Sequence, residues 1–150
     1  MSYLAVRKSK CTWIEYTQSS TQTISSNDAI LWDVERSTST PAMSINSSTG
    51  VITLDSSKRY WIQASMHVTR SSETGFEFQF QTGAGAAVTP ADGGFQIYYT
   101  EDASDPVTNS SFVASLMVSY PTTTYVLRCT SIALNSTLES QSHLFVMEME

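Results

Sequence analysis

Charge is scarce in this sequence. Only 15% of its 150 residues are Asp, Glu, Lys or Arg, against about a quarter in an ordinary soluble domain. Eight basic residues face 14 acidic ones, and the one dense basic run is Arg7, Lys8 and Lys10. A nucleic-acid surface needs a stripe of cations to displace counterions, so nucleic acid is not an expected partner of the main body. Cysteine is scarce too. Cys11 and Cys129 cannot build a disulfide framework, and their separation matches no zinc motif. Nothing signals an oxidising compartment, which leaves their pairing open. No apolar run is long enough for a membrane span, and Met1–Lys10 lacks the apolar core of a secretory signal. Helical periodicity, heptads, Gly-X-Y tracts and internal repeats are all missing. That removes bundles, coiled coils, collagen-like stalks and solenoids from consideration.

Ser and Thr fill the space left by charge, at roughly three residues in ten. Such a surface is polar yet nearly uncharged, and it packs against a partner with few ions to desolvate. The length suits one domain, with about two-thirds of the extended-chain surface buried on folding.

The strongest positive signal is period-two alternation. Tyr60, Ile62, Ala64, Met66 and Val68 share one face, against Trp61, Gln63, Ser65 and His67. Phe76, Phe78 and Phe80 alternate with Glu77, Gln79 and Gln81, and Phe95, Ile97 and Tyr99 with Gln96, Tyr98 and Thr100. Phe112, Ala114, Leu116, Val118 and Tyr120 line a further face. More strands are predicted at Cys11–Tyr16, Ile30–Val34, Gly50–Leu54, Tyr125–Ile132 and Leu144–Met149. Turn clusters such as Ser47-Ser48-Thr49-Gly50, Asp55-Ser56-Ser57 and Asp92-Gly93-Gly94 separate them. The fold class is therefore all-β, an antiparallel β-sandwich.

Several residues fall on the wrong face for a lone sandwich. Trp61 and Tyr98 point outward, as do Val113 and Met117, which alternate against Leu116 and Val118. In the closing strand, Phe145 and Met147 occupy one face while Leu144 and Val146 occupy the other. A strand apolar on both faces is covered on both faces, and aromatics with Met are enriched where subunits meet. Trp61, Val113, Met117, Leu144, Phe145, Val146 and Met147 are the candidate oligomer interface.

Catalytic material is thin. His67 sits among polar neighbours, and no Gly-x-Ser-x-Gly elbow occurs. A Cys129–His143 pair is conceivable for thiol chemistry, but a mid-strand Cys on an apolar face is ordinarily inert core. No enzyme and no cofactor are expected. Gly83–Ala87 matches no phosphate fingerprint and reads as a mobile loop. Glu101, Asp102 and Asp105 form an acidic cluster that could hold calcium only with further oxygen ligands; a solvated turn is the plainer reading. Trp32 and Trp61 could stack on sugars, though core or interface suits both better.

The order of strands resembles the C1q/TNF-like jelly roll. The likeness centres on Gly50-Val51-Ile52-Thr53-Leu54 leading into Lys58-Arg59-Tyr60-Trp61-Ile62-Gln63-Ala64, and on the ending, Tyr125–Cys129 followed by Ser142–Met147. Arg59 stands where many C1q-like domains have Gly, and Phe145 is followed by Val146 and Met147 rather than the usual small residue and Gly. The Ser/Thr-rich, signal-less form looks most like bacteriophage virion versions of the fold. The resemblance implies a homotrimer around a threefold axis. It also implies a division into residues 1–10, an attachment segment, and 11–150, the jelly roll. On this reading the chain is a virion structural protein, assembled in the host cytoplasm. It would be a capsid decoration or cement protein, or a head-fibre base, gripping a major capsid or other virion protein through Tyr3, Leu4, Arg7, Lys8 and Lys10. One alternative is a receptor-binding tip, reading host glycan or protein through loops 82–94 or 101–109. Another is a secreted C1q/TNF-like ligand.

Overall fold

The computed structural model describes residues 12–36, 43–69, 76–89, 94–97, 99–101, 109–131 and 136–149. Residues 1–11, Tyr98, Asp102 and Asp105 lie outside the described residues, so the attachment segment, Cys11 and most of the acidic cluster do too. The chain order is β1 (Trp13–Thr17), β2 (Gln22–Ile24), β3 (Val34–Glu35), β4 (Met43–Ile45), β5 (Ile52–Leu54), β6 (Arg59–Thr69) and β7 (Phe76–Thr82). It continues with β8 (Gly94–Ile97), β9 (Tyr99–Glu101), β10 (Asn109–Ser119), β11 (Tyr125–Ser131), β12 (Ser136–Leu138) and β13 (His143–Met149).

These strands form two antiparallel sheets. The larger has β6 at its centre, with β10 and then β8 on one side. On the other side β13 and β12 pair successively with β6, followed outward by β1 with β3 and by β2. The smaller runs β4-β5-β11-β7-β9. Strands β12 and β13 run in the same direction along β6, separated by a short break. There the Ser142 hydroxyl accepts from His67 N at 3.1 Å, and Glu139 N donates to His67 O at 2.8 Å, which keeps the ladder satisfied across the gap.

The alternation in β6 is realised in full: Tyr60, Ile62, Ala64, Met66 and Val68 are buried, and the residues between them are not. Phe78, Phe80, Tyr125, Leu127 and Cys129 of the smaller sheet are fully buried in the same core. Side chains of this size each contribute about 1.5–3 kcal/mol when removed from water. Two polar turns set the entry to this centre. Asn46 Oδ1 accepts from Ser48 N and Thr49 N, and Gly50 beyond it takes φ 69°, open to residues without a Cβ. Asp55 Oδ1 accepts from Ser57 N at 2.7 Å, while Asp55 N donates to the buried Tyr60 hydroxyl at 3.1 Å, pinning the start of β6.

Four expectations are corrected. Ile30–Val34 is not a strand: only Val34–Glu35 pairs with β1, while Ile30 N donates to Leu127 O and Trp32 is buried in the core. Core packing of Ile30 and Trp32, with single hydrogen bonds to Thr17, Gln18, Gln22 and Leu127 rather than a ladder, holds this segment. Tyr120 does not continue the inward face of β10. Its φ of 55° turns the ring out, 54% exposed, under the Arg59 guanidinium at 5.4 Å. Gly83–Ala87 is a tied turn, with Thr82 N donating to Ala86 O, Gly85 N to Thr82 O and Gly83 N to Thr124 O, each at 2.8 Å. Leu144 and Val146 are fully buried within the sandwich, so the smaller sheet already covers that face of β13 and neither belongs to an outer interface.

Candidate functional site

The outward face of the larger sheet is built by register. Trp13 of β1 is opposite Met147 of β13, Met147 is opposite Trp61 of β6, and Trp61 is opposite Met117 of β10. Because side chains alternate along each strand, these four stand on one face and make an apolar row across four strands. The row beneath is Glu15, Phe145, Gln63 and Ser115, and the next is Thr17, His143, Ser65 and Val113. Phe145 sits diagonally between the two indoles. Its ring stacks on Trp13 at 5.6 Å and meets Trp61 edge-on at 6.4 Å, geometries favoured by the ring quadrupoles.

The row remains open to water. Met117 is 51% exposed, Val113 45% and Trp13 42%, while Trp61, Phe145 and Met147 are half-buried. On this face the structure brings together Trp61, Val113, Met117, Phe145 and Met147 and separates Leu144 and Val146 from them. Trp13 is the member that the sequence reading missed. Its signal was available, since Ile14 and Tyr16 mark the inward phase of β1 and place Trp13 on the other side.

Charge on the face is sparse. His143 Nδ1 lies 2.9 Å from Glu15 Oε1, and His67 Nδ1 lies 2.7 Å from the Ser111 hydroxyl. At the lower end Lys58 Nζ pairs with Glu148 Oε1 at 2.7 Å, which holds the ammonium charged above its ordinary range. Arg59 stacks on Tyr120 beside it. Such exposed pairs contribute little to folding; they leave the face without a strong excess of either sign.

The Cys129–His143 pair has no geometry for thiol chemistry. Cys129 is a buried thiol in the smaller sheet, and His143 is on the outer face of the larger one. Among the described residues no group of three His, Cys, Asp or Glu could hold a metal ion.

No family model and no curated protein sequence matches the chain. Among solved structures it is similar to the globular domain of zebrafish complement 1qA protein, with 7% identity and TM-score 0.56 over 92% of this chain and 95% of that one. It is similar also to murine APRIL, with 8% identity and TM-score 0.60 over 93% of this chain and 100% of that one. The vertex protein P5 of PRD1 aligns at 15% identity over 93% of this chain and 96% of that one, with a TM-score of 0.46. The fold is a C1q/TNF-like jelly roll.

Proposed function

We propose that the chain is a non-enzymatic structural module that acts by packing the outer face of its larger sheet against sister copies, as a homotrimer. The observation that carries this reading is the row Trp13–Met147–Trp61–Met117 with Phe145 wedged between its indoles. An apolar stripe that crosses four strands of a soluble domain marks a contact surface. Copies of the same chain suit it because the face carries few charges, so two such faces meet without a large like-charge term. The threefold number is what the C1q/TNF-like resemblance implies.

In its finer form the proposal makes this trimer a virion component, seated on a capsid as a decoration or cement protein or a head-fibre base. The support is compositional. A Ser/Thr-rich surface with few ions suits extended, dry protein–protein packing. Residues 1–10, with Tyr3, Leu4, Arg7, Lys8 and Lys10, would supply one grip per copy, and three weak grips on one body multiply through effective concentration.

Light scattering on the purified full chain tests the first step, and a monomer at high micromolar concentration would refute it. Sedimentation with preformed capsid shells tests the second. The full chain is expected to co-sediment, and a chain lacking residues 1–10 to remain trimeric but unbound. A truncated chain that still coats shells would remove the N-terminal grip, and binding to host cells or glycans without any binding to shells would favour a receptor-binding tip.

A further inference from the structure

A small cavity lies apart from the interaction face. Its walls are the link from β1 into the start of β2, between Gln18 and Gln22, together with Leu31, Asp33 and Ser47 in the turn between β4 and β5; its volume is about 260 Å³. Side-chain hydrogen bonds tie the walls together. Gln22 Nε2 donates to Ala29 O at 2.9 Å, and Gln22 Oε1 accepts from Leu31 N at 3.0 Å and from Gln18 Nε2 at 3.2 Å. Gln18 Nε2 also donates to Leu31 O at 2.9 Å. Asp33 is fixed by Ser19, whose backbone N donates to Oδ1 at 2.7 Å and whose hydroxyl donates to Oδ2. The cavity is thus preformed, which spares a ligand the cost of ordering it.

The acceptor this wall offers a ligand is Asp33. Gln18 is 5% exposed, and its Oε1, though without a hydrogen-bond partner, is buried out of a ligand's reach. Asp33 is exposed, and a carboxylate has about four lone-pair sites, of which Ser19 takes two. The Ser19 hydrogen bonds also hold the Asp33 carboxyl below the ordinary aspartate range, so it is charged at neutral pH. Ser20, Thr21 and Ser47 line the cavity with hydroxyls, and Leu31 adds a half-buried apolar surface. Among the described residues no Lys or Arg lines it, so an anion would find no counter-charge.

We propose that this cavity binds one neutral sugar residue, its vicinal hydroxyls donating to Asp33 and exchanging hydrogen bonds with the Ser and Thr hydroxyls while its C–H face rests on Leu31. The volume admits a single ring. No aromatic platform lines the cavity among the described residues, so one site binds in the millimolar range and useful avidity comes from several copies on one particle. The site is complete within one chain, so it stands or falls separately from self-association.

The test is a titration of the isotope-labelled full chain with methyl glycosides of glucose, galactose, mannose and N-acetylglucosamine, followed by amide chemical shifts. The expected result is saturable shifts from at least one glycoside, confined to residues 18–22, 31–33 and 47. Asp33→Asn is expected to weaken binding about tenfold or more, the loss of a hydrogen bond to a charged group. Ser47→Tyr, at an exposed turn position, is expected to fill the cavity and abolish the shifts while leaving the rest of the spectrum unchanged. Saturable shifts from none of the four glycosides would overturn the proposal. So would shifts that persist in Ser47→Tyr, or tighter binding of tetramethylammonium, which would make the site a cation site.

Discussion

Met117→Glu separates folding from self-association. Met117 is 51% exposed in the single chain, so only about half of a methionine's burial is at stake in folding, on the order of 1 kcal/mol. The domain should therefore still fold. In the proposed assembly the same position is dry and faces Trp61 across the ladder. A carboxylate there loses its water without gaining a partner, a penalty of several kcal/mol per ion. A threefold ring contains the position three times. Even about 2 kcal/mol per copy sums to about 6 kcal/mol, or about four powers of ten in the trimer dissociation constant. Sedimentation velocity across a dilution series would read the loss as a shift from trimer to monomer at micromolar concentration. Thr53→Glu, at an exposed position of β5 in the other sheet, is the matched control and should leave the mass unchanged. If Met117→Glu remained trimeric, or if Thr53→Glu dissociated to the same extent, the outer face of the larger sheet would not be where copies meet.

Phe80 is fully buried in the core, and Phe80→Ala should cost about 3–5 kcal/mol by urea denaturation; a loss under about 1 kcal/mol would mean that the two sheets do not pack as described. Gly50→Ala should destabilise by about 2 kcal/mol or more, because φ is 69° and an added Cβ would collide with the Ile30 carbonyl oxygen; a neutral change in thermal midpoint would contradict that turn. Asp33 adds a small acid-range dependence. Its folded pKa lies below the unfolded one because of the Ser19 hydrogen bonds, so its stabilisation is present above the unfolded value of about 3.9 and fades as pH falls through it toward the folded value. Unfolding curves of Asp33→Asn and the parent should therefore converge toward low pH, and a constant gap from neutrality to the acid range would refute the linkage.

The long strands were legible because their signal is local. Tyr60 to Val68 alternates for nine residues, which no helix would bury, and β7 and β10 carry the same period. The three-residue strands β2, β4 and β12 were not legible, since three residues cannot display a period; β5, equally short, was legible only because turn clusters flank it on both sides. Nor was the break between β12 and β13, which Ser142 and Glu139 bridge only because His67 stands opposite. For the candidate site, the outward phase of Trp61, Met117 and Val113 followed from alternation with their buried neighbours. The cavity beside Asp33 had no sequence signal, because Gln18, Leu31 and Ser47 meet only through loops.

The sequence by itself determined an all-β sandwich and the partition of each long strand into two faces, because side-chain direction in a strand depends only on neighbours along the chain. Tertiary structure decided which apolar face met the smaller sheet. It buried Leu144 and Val146 and left Phe145 and Met147 outside, a choice that depends on a sheet contributed by other parts of the chain. It also decided that Trp13 and Met147, near opposite ends of the sequence, stand side by side, since cross-strand register is a long-range property.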